Sequence, residues 1–274
     1  MADVLREDGV REDLVRESVA AGPAAAWTPV RQPRRSIGGY LFMPVLLSLV
    51  CAALYAYVNS RELDSIEARS LNASTLRTAV WEHVQLTALS TVLVILIAVP
   101  LGIVLTRSFA SRVRAPLVAV LNLAQAVPTI GILVLLAVTF LFLGFRAAIV
   151  GLVLYAIVPV LLNTMVGLEQ VDRTILEAGR GMGMSSADVL RRIELPLAVP
   201  VVAAGVRTAL VINVGSATLV TYINAGGLGD IIAAGLSTNR FSIQLVGAGL
   251  TAVLALLIDY LAGLAEDLLR PRGL

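Results

Sequence analysis

Lysine is missing: all 21 basic residues among the 274 are arginine. That removes any chemistry that needs a lysine amine. It also removes the Gly-x-x-x-x-Gly-Lys-Ser/Thr loop that cradles nucleotide phosphates, so ATP has no such site here. Cys51 is the single cysteine and lies inside an apolar run, which excludes a disulfide framework and a cysteine-based metal site. His83 is the single histidine; it sits in a stretch of mixed charge and reads as an interfacial residue with no assigned chemistry. No metal cluster and no nucleophile–base pair is apparent, so the sequence gives no enzyme. Charged residues make up 15% and aromatics 5%, and a net charge of +2 offers no argument for nucleic acid.

What the chain has is hydrophobic length. Apolar residues are 58% of it and the mean hydropathy is +0.87, far from the balance of a soluble domain. A membrane-crossing helix needs about 20 apolar residues. Such runs occur at 39–59, 84–106, 117–140, 147–168, 197–222 and 243–265. The expected fold is an all-α membrane protein of about six transmembrane helices. Pro128, Pro159 and Pro200 fall inside the third, fourth and fifth runs and are tolerable where neighbours satisfy the freed carbonyl. Residues 1–38 read as a solvated cytoplasmic tail with a flexible linker, 39–73 as an extra first span and external segment, and 74–274 as the core. Arg34-Arg35 ahead of the first run reads as a positive anchor.

Arginine placement sets the orientation. With the N-terminus inside, Arg6, Arg11, Arg16, Arg31, Arg34, Arg35, Arg107, Arg112, Arg114, Arg173, Arg180, Arg191, Arg192, Arg270 and Arg272 face the cytoplasm. Outside remain Arg61, Arg69, Arg77, Arg146 and Arg240. An even number of spans puts both termini inside, in the cell membrane. It also places the longest polar interruption, Glu177 to Pro196, in the cytoplasm.

That loop has its own local logic. Thr174-Ile-Leu-Glu177 has capping-box spacing and predicts a helix from about Ile175. Gly179, Gly181 and Gly183 each weaken it by roughly 1 kcal/mol relative to alanine, which makes sense if another backbone approaches closely or if Gly183 ends the helix. Ser185-Ser-Ala-Asp188 caps a second short helix running to Ile193, and Pro196 opens the next span. Slim surfaces flanked by Met182 and Met184 suit a groove in a partner.

Polar residues in the spans mark a pathway or join helices. Candidates are Gln125, Pro128, Asn163, Arg207, Thr208, Asn213, Ser216 and Thr218. Arg207 lies about 18 Å along a helix from Leu195, and Asp259 in the last run is its expected counter-charge. Gly226-Gly227-Leu228-Gly229 cannot be helical throughout and is expected to form a tight turn or re-entrant element at the outer mouth. A channel or ion-coupled carrier is the rival class, yet no internal repeat and only one intramembrane carboxylate are visible.

The loop resembles the cytoplasmic coupling loop of ABC importer membrane subunits, whose signature reads EAA, three residues, G, nine residues, I-x-L-P. Here it is Glu177-Ala178-Gly179, Gly183 and Ile193-x-Leu195-Pro196, with Gly179 in place of the second alanine. Further segments carry the resemblance: Gln125-Ala-Val-Pro128-Thr, Tyr155-Ala-Ile-Val-Pro159-Val-Leu-Leu-Asn163-Thr, Ala204-Gly-Val-Arg207-Thr208, Gly215-Ser-Ala-Thr218, Asn224-Ala-Gly-Gly-Leu-Gly-Asp230 and Pro271-Arg-Gly-Leu. Together they are similar to the permease subunits of type I importers for osmoprotectants: glycine betaine, carnitine and choline. Permeases for methionine or another amino acid look similar around the Gly-Gly-Leu-Gly element. The resemblance covers roughly 74–274, and many relatives begin near residue 74. It implies a non-catalytic subunit that pairs with an identical or homologous permease. Two ATPase subunits, which bind ATP and Mg, dock on the coupling loops, and an extracytoplasmic binding protein delivers solute.

Overall fold

The computed structural model describes residues 37–269, and every regular element among them is helical. The tail expected over 1–38 lies outside the described residues except for its last two, which already belong to the first helix; the closing Pro271-Arg-Gly-Leu lies outside too. In chain order the helices are α1 (Ile37–Asn59), α2 (Ser65–Ser70), α3 (Ala73–Leu105), α4 (Ser111–Gln125), α5 (Thr129–Phe140), α6 (Phe145–Glu169), α7 (Arg173–Gly181), α8 (Ser186–Val189), α9 (Leu195–Ser216), α10 (Leu228–Ser237) and α11 (Phe241–Leu269). Five helical segments are long and apolar enough to cross a membrane: α1, α3, α6, α11 and a continuous stretch Ser186–Ser216 that includes α9.

The core is built on α6, which packs against α3 on one side and α9 on the other. Val94, Ala98, Ala156, Val160, Leu161 and Ala209 are buried together between these three helices. Small residues set the spacing, as expected where helices associate by close packing. A Cβ on Gly205 of α9 would stand 2.9 Å from the Pro159 carbonyl oxygen and 2.6 Å from the Asn163 Cβ. One on Gly102 of α3 would stand 2.8 Å from Thr164. The extra first span is integrated: α1 packs on α11, where Gly249 meets Leu54 and the Tyr260 hydroxyl donates to the Tyr40 carbonyl at 2.9 Å.

Three expectations need correction. The third run, 117–140, is not one helix: Ser108–Gln125 and Thr129–Phe140 are bent by 90° at a break ending in Pro128. Pro128 has ψ 136, extended backbone, and a proline also steers the residue before it away from helix. Pro159 and Pro200 lie inside unbroken helices. Packing accompanies the contrast, although Pro44 and Pro116 lie inside unbroken helices that bury little or nothing. Thirteen residues of α6 are buried, whereas α4 buries none and α5 only Thr129 and Leu133, so little holds the third run straight once a hydrogen bond is lost. The fifth run, 197–222, is helical only to Ser216 and then tightens into a 3₁₀ turn, Leu219–Ile223.

The third correction concerns the segment ahead of the second run. The 33-residue α3 begins at Ala73, about 50 Å of helix against a hydrocarbon core of about 30 Å. It carries His83 into the protein, where that ring is fully buried rather than interfacial.

Candidate functional site

The loop Glu177–Pro196 folds as two short helices around a glycine turn. Asp172, not Thr174, caps the first: its carboxylate accepts from the Thr174 backbone N–H at 2.8 Å and from the Thr174 hydroxyl at 2.9 Å. These bonds hold the Asp172 carboxyl below the usual carboxylate range, the backbone bond foremost. The helix therefore starts at Arg173, two residues before the expected start.

Its end is a Schellman motif. The Met184 N–H donates to the Gly179 carbonyl at 3.2 Å and the Gly183 N–H to the Arg180 carbonyl at 2.9 Å. Gly183 takes φ +84, the left-handed region that glycine enters without strain. So Gly183 ends the helix, as its spacing suggested. Ser185 then caps α8, accepting from the Asp188 N–H at 3.2 Å.

Gly179 shows why a small residue is needed in the signature's third place. A Cβ there would lie 2.7 Å from the Ile193 Cδ1 and 3.5 Å from the Met184 sulfur. Two positions of the motif thus touch: Ile193, in the turn Leu190–Glu194 that follows α8, folds back over Gly179 and holds α7 against that turn. The close partner is a side chain, not a backbone. Gly181 has nothing within 4 Å of its would-be Cβ, and Glu177, Ala178 and Met182 are exposed with it. Met184 is half-buried, so only Met182 of the two methionines is fully presented.

From Ser186 the backbone does not stop at Pro196. Leu190–Glu194 is one turn of π-helix that leads straight into α9, closed by the Leu195 N–H on the Leu190 carbonyl. Pro196 has no N–H to offer the preceding turn, and a wider turn at that point is the usual form of such a bulge. The second half of the loop and the fifth span are one continuous helical stretch, Ser186–Ser216.

Glu194, the unspecified residue of the I-x-L-P segment, was not singled out by sequence reasoning. It is 4% exposed, and its oxygens take two bonds from Arg107 just past α3, Nη2 at 2.5 Å and Nη1 at 3.3 Å. Arg114 pairs with Glu169 close by. The available signal was that Glu194 is the one acid between Asp188 and Asp230.

In the spans, Arg207 and Asp259 do pair. Arg207 Nε donates to Oδ1 at 2.5 Å and Nη2 to Oδ2 at 2.7 Å, a bidentate bridge from α9 to α11, with Glu266 at 3.9 Å. Asn213 is buried and donates to Ser90 at 3.0 Å and Thr91 at 3.1 Å on α3. Asn163 lies against Gly205 and donates to the Pro159 carbonyl at 2.8 Å. Thr208 is exposed and bonds back to Ala204, Thr218 bonds back to Gly215, and Ser216 is buried. Gln125 and Pro128 are exposed at the break. The eight candidates are therefore not gathered in one enclosed site within one chain; they spread over the α4–α5 elbow, α6, α9 and the turn after α9.

Gly226 and Gly227 form a left-handed turn at φ +84 and +96, after Asn224 at φ +59, and the ten-residue α10 follows. Two α3 side chains hold this turn. Glu82 accepts from the Gly227 N–H at 2.9 Å, and His83 Nδ1 accepts from the Leu228 N–H at 3.3 Å. The other ring nitrogen of His83 then carries the proton and donates to the Val214 carbonyl at 3.0 Å. Gly229 abuts the Thr218 carbonyl too closely for any Cβ.

The profile of a family described as "Binding-protein-dependent transport system inner membrane component" matches residues 98–272, a region that holds the Glu177–Pro196 loop whole. The chain belongs to this family. As such it is a multi-pass membrane component of a binding-protein-dependent transport system. The choline transport system permease protein OpuBB of Bacillus subtilis (strain 168) is 38% identical over 203 residues, 74% of this chain and 92% of that protein. The carnitine transport permease protein OpuCD of Listeria monocytogenes serotype 1/2a (strain 10403S) is 40% identical over 201 residues, 73% and 89% of the two chains. The osmoprotectant import permease protein OsmW of Salmonella typhimurium is 32% identical over 216 residues, 77% of this chain and all of its own. Among solved structures, the inward-facing MetNI methionine ABC transporter aligns at TM-score 0.63 with 24% identity, covering 72% of this chain and 96% of that one. That likeness supports the importer permease fold.

Proposed function

We propose that this protein is the permease subunit of an ATP-driven importer of osmoprotectants, small methylated ammonium solutes such as glycine betaine, choline or carnitine. The observation that carries the solute class is the identity of 37–40% with several permeases named for those solutes, spanning 82–92% of their lengths. Glu177, Ala178, Gly179, Gly183, Ile193, Leu195 and Pro196 form the dock for an ABC ATPase, which binds ATP and Mg in its own subunits. The apolar, exposed α4–α5 elbow faces a second permease subunit, identical or homologous, and the pathway runs between the two. Gln125 and Pro128 lie on that face. Arg207 with Thr208, and Asn163, Asn213, Ser216 and Thr218, set the packing and polarity of the helices that line it. The termini lie in the cytoplasm, Gly226–Gly229 shapes the outer mouth, and an extracytoplasmic binding protein delivers solute there.

The coupling follows from geometry. When the ATPase moves the exposed face of α7, Ile193 on Gly179 carries the push to the turn Leu190–Glu194. The unbroken π-turn passes it to α9, and Arg107–Glu194 passes it to α3, whose far end holds the outer glycine turn through Glu82 and His83.

A quaternary ammonium group donates no hydrogen bond and is normally held by aromatic faces. With aromatics at 5%, this chain offers a low-affinity route, and tight recognition belongs to the binding protein. Cells lacking other osmolyte uptake decide the matter. Deleting this gene abolishes uptake of radiolabelled betaine, choline or carnitine at high salt, as does deleting the binding protein. Unchanged uptake of all three with loss of methionine uptake would assign the chain to the amino-acid importers instead.

A further inference from the structure

Two adjoining clefts meet at the end of α3 and share Thr106, Arg107 and Arg114. They differ in chemistry. The outer one, of about 510 Å³, is walled by Arg107, Arg114, Arg173 and Arg180 against two acids, Glu169 and Glu194. Both acids are already taken, Glu194 by Arg107 and Glu169 by Arg114. Arg173 and Arg180 make no ion pair among the described residues, so two uncompensated guanidinium groups line the same hollow. The inner cleft, of about 620 Å³, runs between α4 and α6 and is walled by Leu105, Val118, Leu162 and Met165. From Arg114 to Asn122 it follows α4 for eight residues, about 12 Å. That is most of one leaflet of a hydrocarbon core of about 30 Å.

An acid-seeking mouth continuous with a largely apolar furrow about as long as an acyl chain's reach into one leaflet has the two-part chemistry of one kind of molecule. We infer that this double cleft binds an acidic phospholipid of the cytoplasmic leaflet, its phosphate among Arg107, Arg114, Arg173 and Arg180 and an acyl chain along Val118, Leu162 and Met165. Basic pockets between membrane helices on the cytoplasmic side commonly take acidic headgroups, and the guanidinium fork suits phosphate oxygens. The inference rests on the cytoplasmic placement of the loop proposed above. Its consequence is specific: two of the four arginines belong to α7, and Arg107 holds Glu194, so the headgroup ties the coupling loop to α3 and α4. A bound lipid stiffens the junction through which ATPase movement passes.

The test is lipid retention by the purified permease–ATPase complex, read by native mass spectrometry after exchange into discs of phosphatidylcholine with phosphatidylglycerol. One phosphatidylglycerol per copy of this chain is expected to stay bound, with at least a tenfold preference over phosphatidylcholine. The double change Arg173→Gln/Arg180→Gln removes that preference, while Arg173→Lys/Arg180→Lys, which keeps the charge, retains most of it. Val118→Trp, which fills the furrow and leaves the arginines, also releases the lipid. Equal retention of both lipids, or full retention by the glutamine pair with normal folding by circular dichroism, would overturn the inference. So would competition by soluble glycerol phosphate as effective as by the intact lipid, because the furrow would then contribute nothing. None of these readouts uses solute uptake, so a wrong solute assignment leaves them unchanged, and failure here leaves the uptake test standing.

Discussion

Arg207 and Asp259 are the residues where sequence and structure meet most directly. A lone arginine twelve positions into a span costs about 2.5–3.5 kcal/mol on insertion scales, so a counter-charge was required, and Asp259 provides it through two bonds of 2.5 and 2.7 Å. Arg207→Ala and Asp259→Ala are each expected to lower thermal stability, and the double change to cost less than their sum by about 0.5–3 kcal/mol, the range for residues in contact. Strict additivity in that cycle would show that the bridge holds nothing together. Gly179 yields a second residue-scale expectation. Gly179→Ala gains about 1 kcal/mol of helix propensity and needs only the tip of Ile193 to move, so stability changes by less than about 1 kcal/mol. Gly179→Leu displaces Ile193 altogether and opens the loop, seen as faster proteolysis at Met182–Met184. Single residues with a partner of opposite charge or an obvious turn role were legible in the sequence. His83 and Glu194 were not, because their partners are backbone groups and an arginine 87 or more positions away, and distance in the chain hides such contacts.

Elements were legible where composition and packing agree. Apolar length located five of the six expected spans, and the capping residues Ser185 and Gly183 fell where the loop's helices start and end. The elbow at Pro128 was not legible: prolines at 128, 159 and 200 look alike in the sequence, and Pro44 and Pro116 lie inside unbroken helices that bury little or nothing. Spin labels at the exposed Val113 and Val138, in a protein with Cys51 replaced, read this directly. A right-angle elbow gives about 27 Å between those positions and a continuous helix about 38 Å. The parent protein is expected near the shorter value, and Pro128→Ala shifts the distribution toward the longer one. A parent distance near 38 Å would mean that the third run is straight. The joint between α8 and α9 was likewise hidden, since a proline that opens a helix and a proline that follows a π-turn leave the same letters.

At the scale of the whole molecule the proposed coupling runs between two ends. One end is the exposed patch of Glu177, Ala178, Gly181 and Met182; the other is the glycine turn held by Glu82 and His83. At the outer end, Gly227→Ala forces a side chain into φ +96 and sets its Cβ 3.2 Å from the His83 ring. Uptake is expected to fall at least tenfold while assembly with the ATPase stays normal, measured on the same membranes. The fold class follows from hydropathy and the proposed docking loop from one motif, whereas the pathway does not, because it is expected to form between two chains. The central claim is that the loop couples this chain to an ATPase, and Gly181→Trp tests it most directly. Gly181 has open space where its side chain would go, so the indole blocks a docking partner without disturbing the chain's own fold, unlike a change at Gly183 with its φ of +84. The account predicts normal membrane insertion and loss of ATPase co-purification together with solute uptake; full co-purification and uptake with Trp at 181 would contradict it.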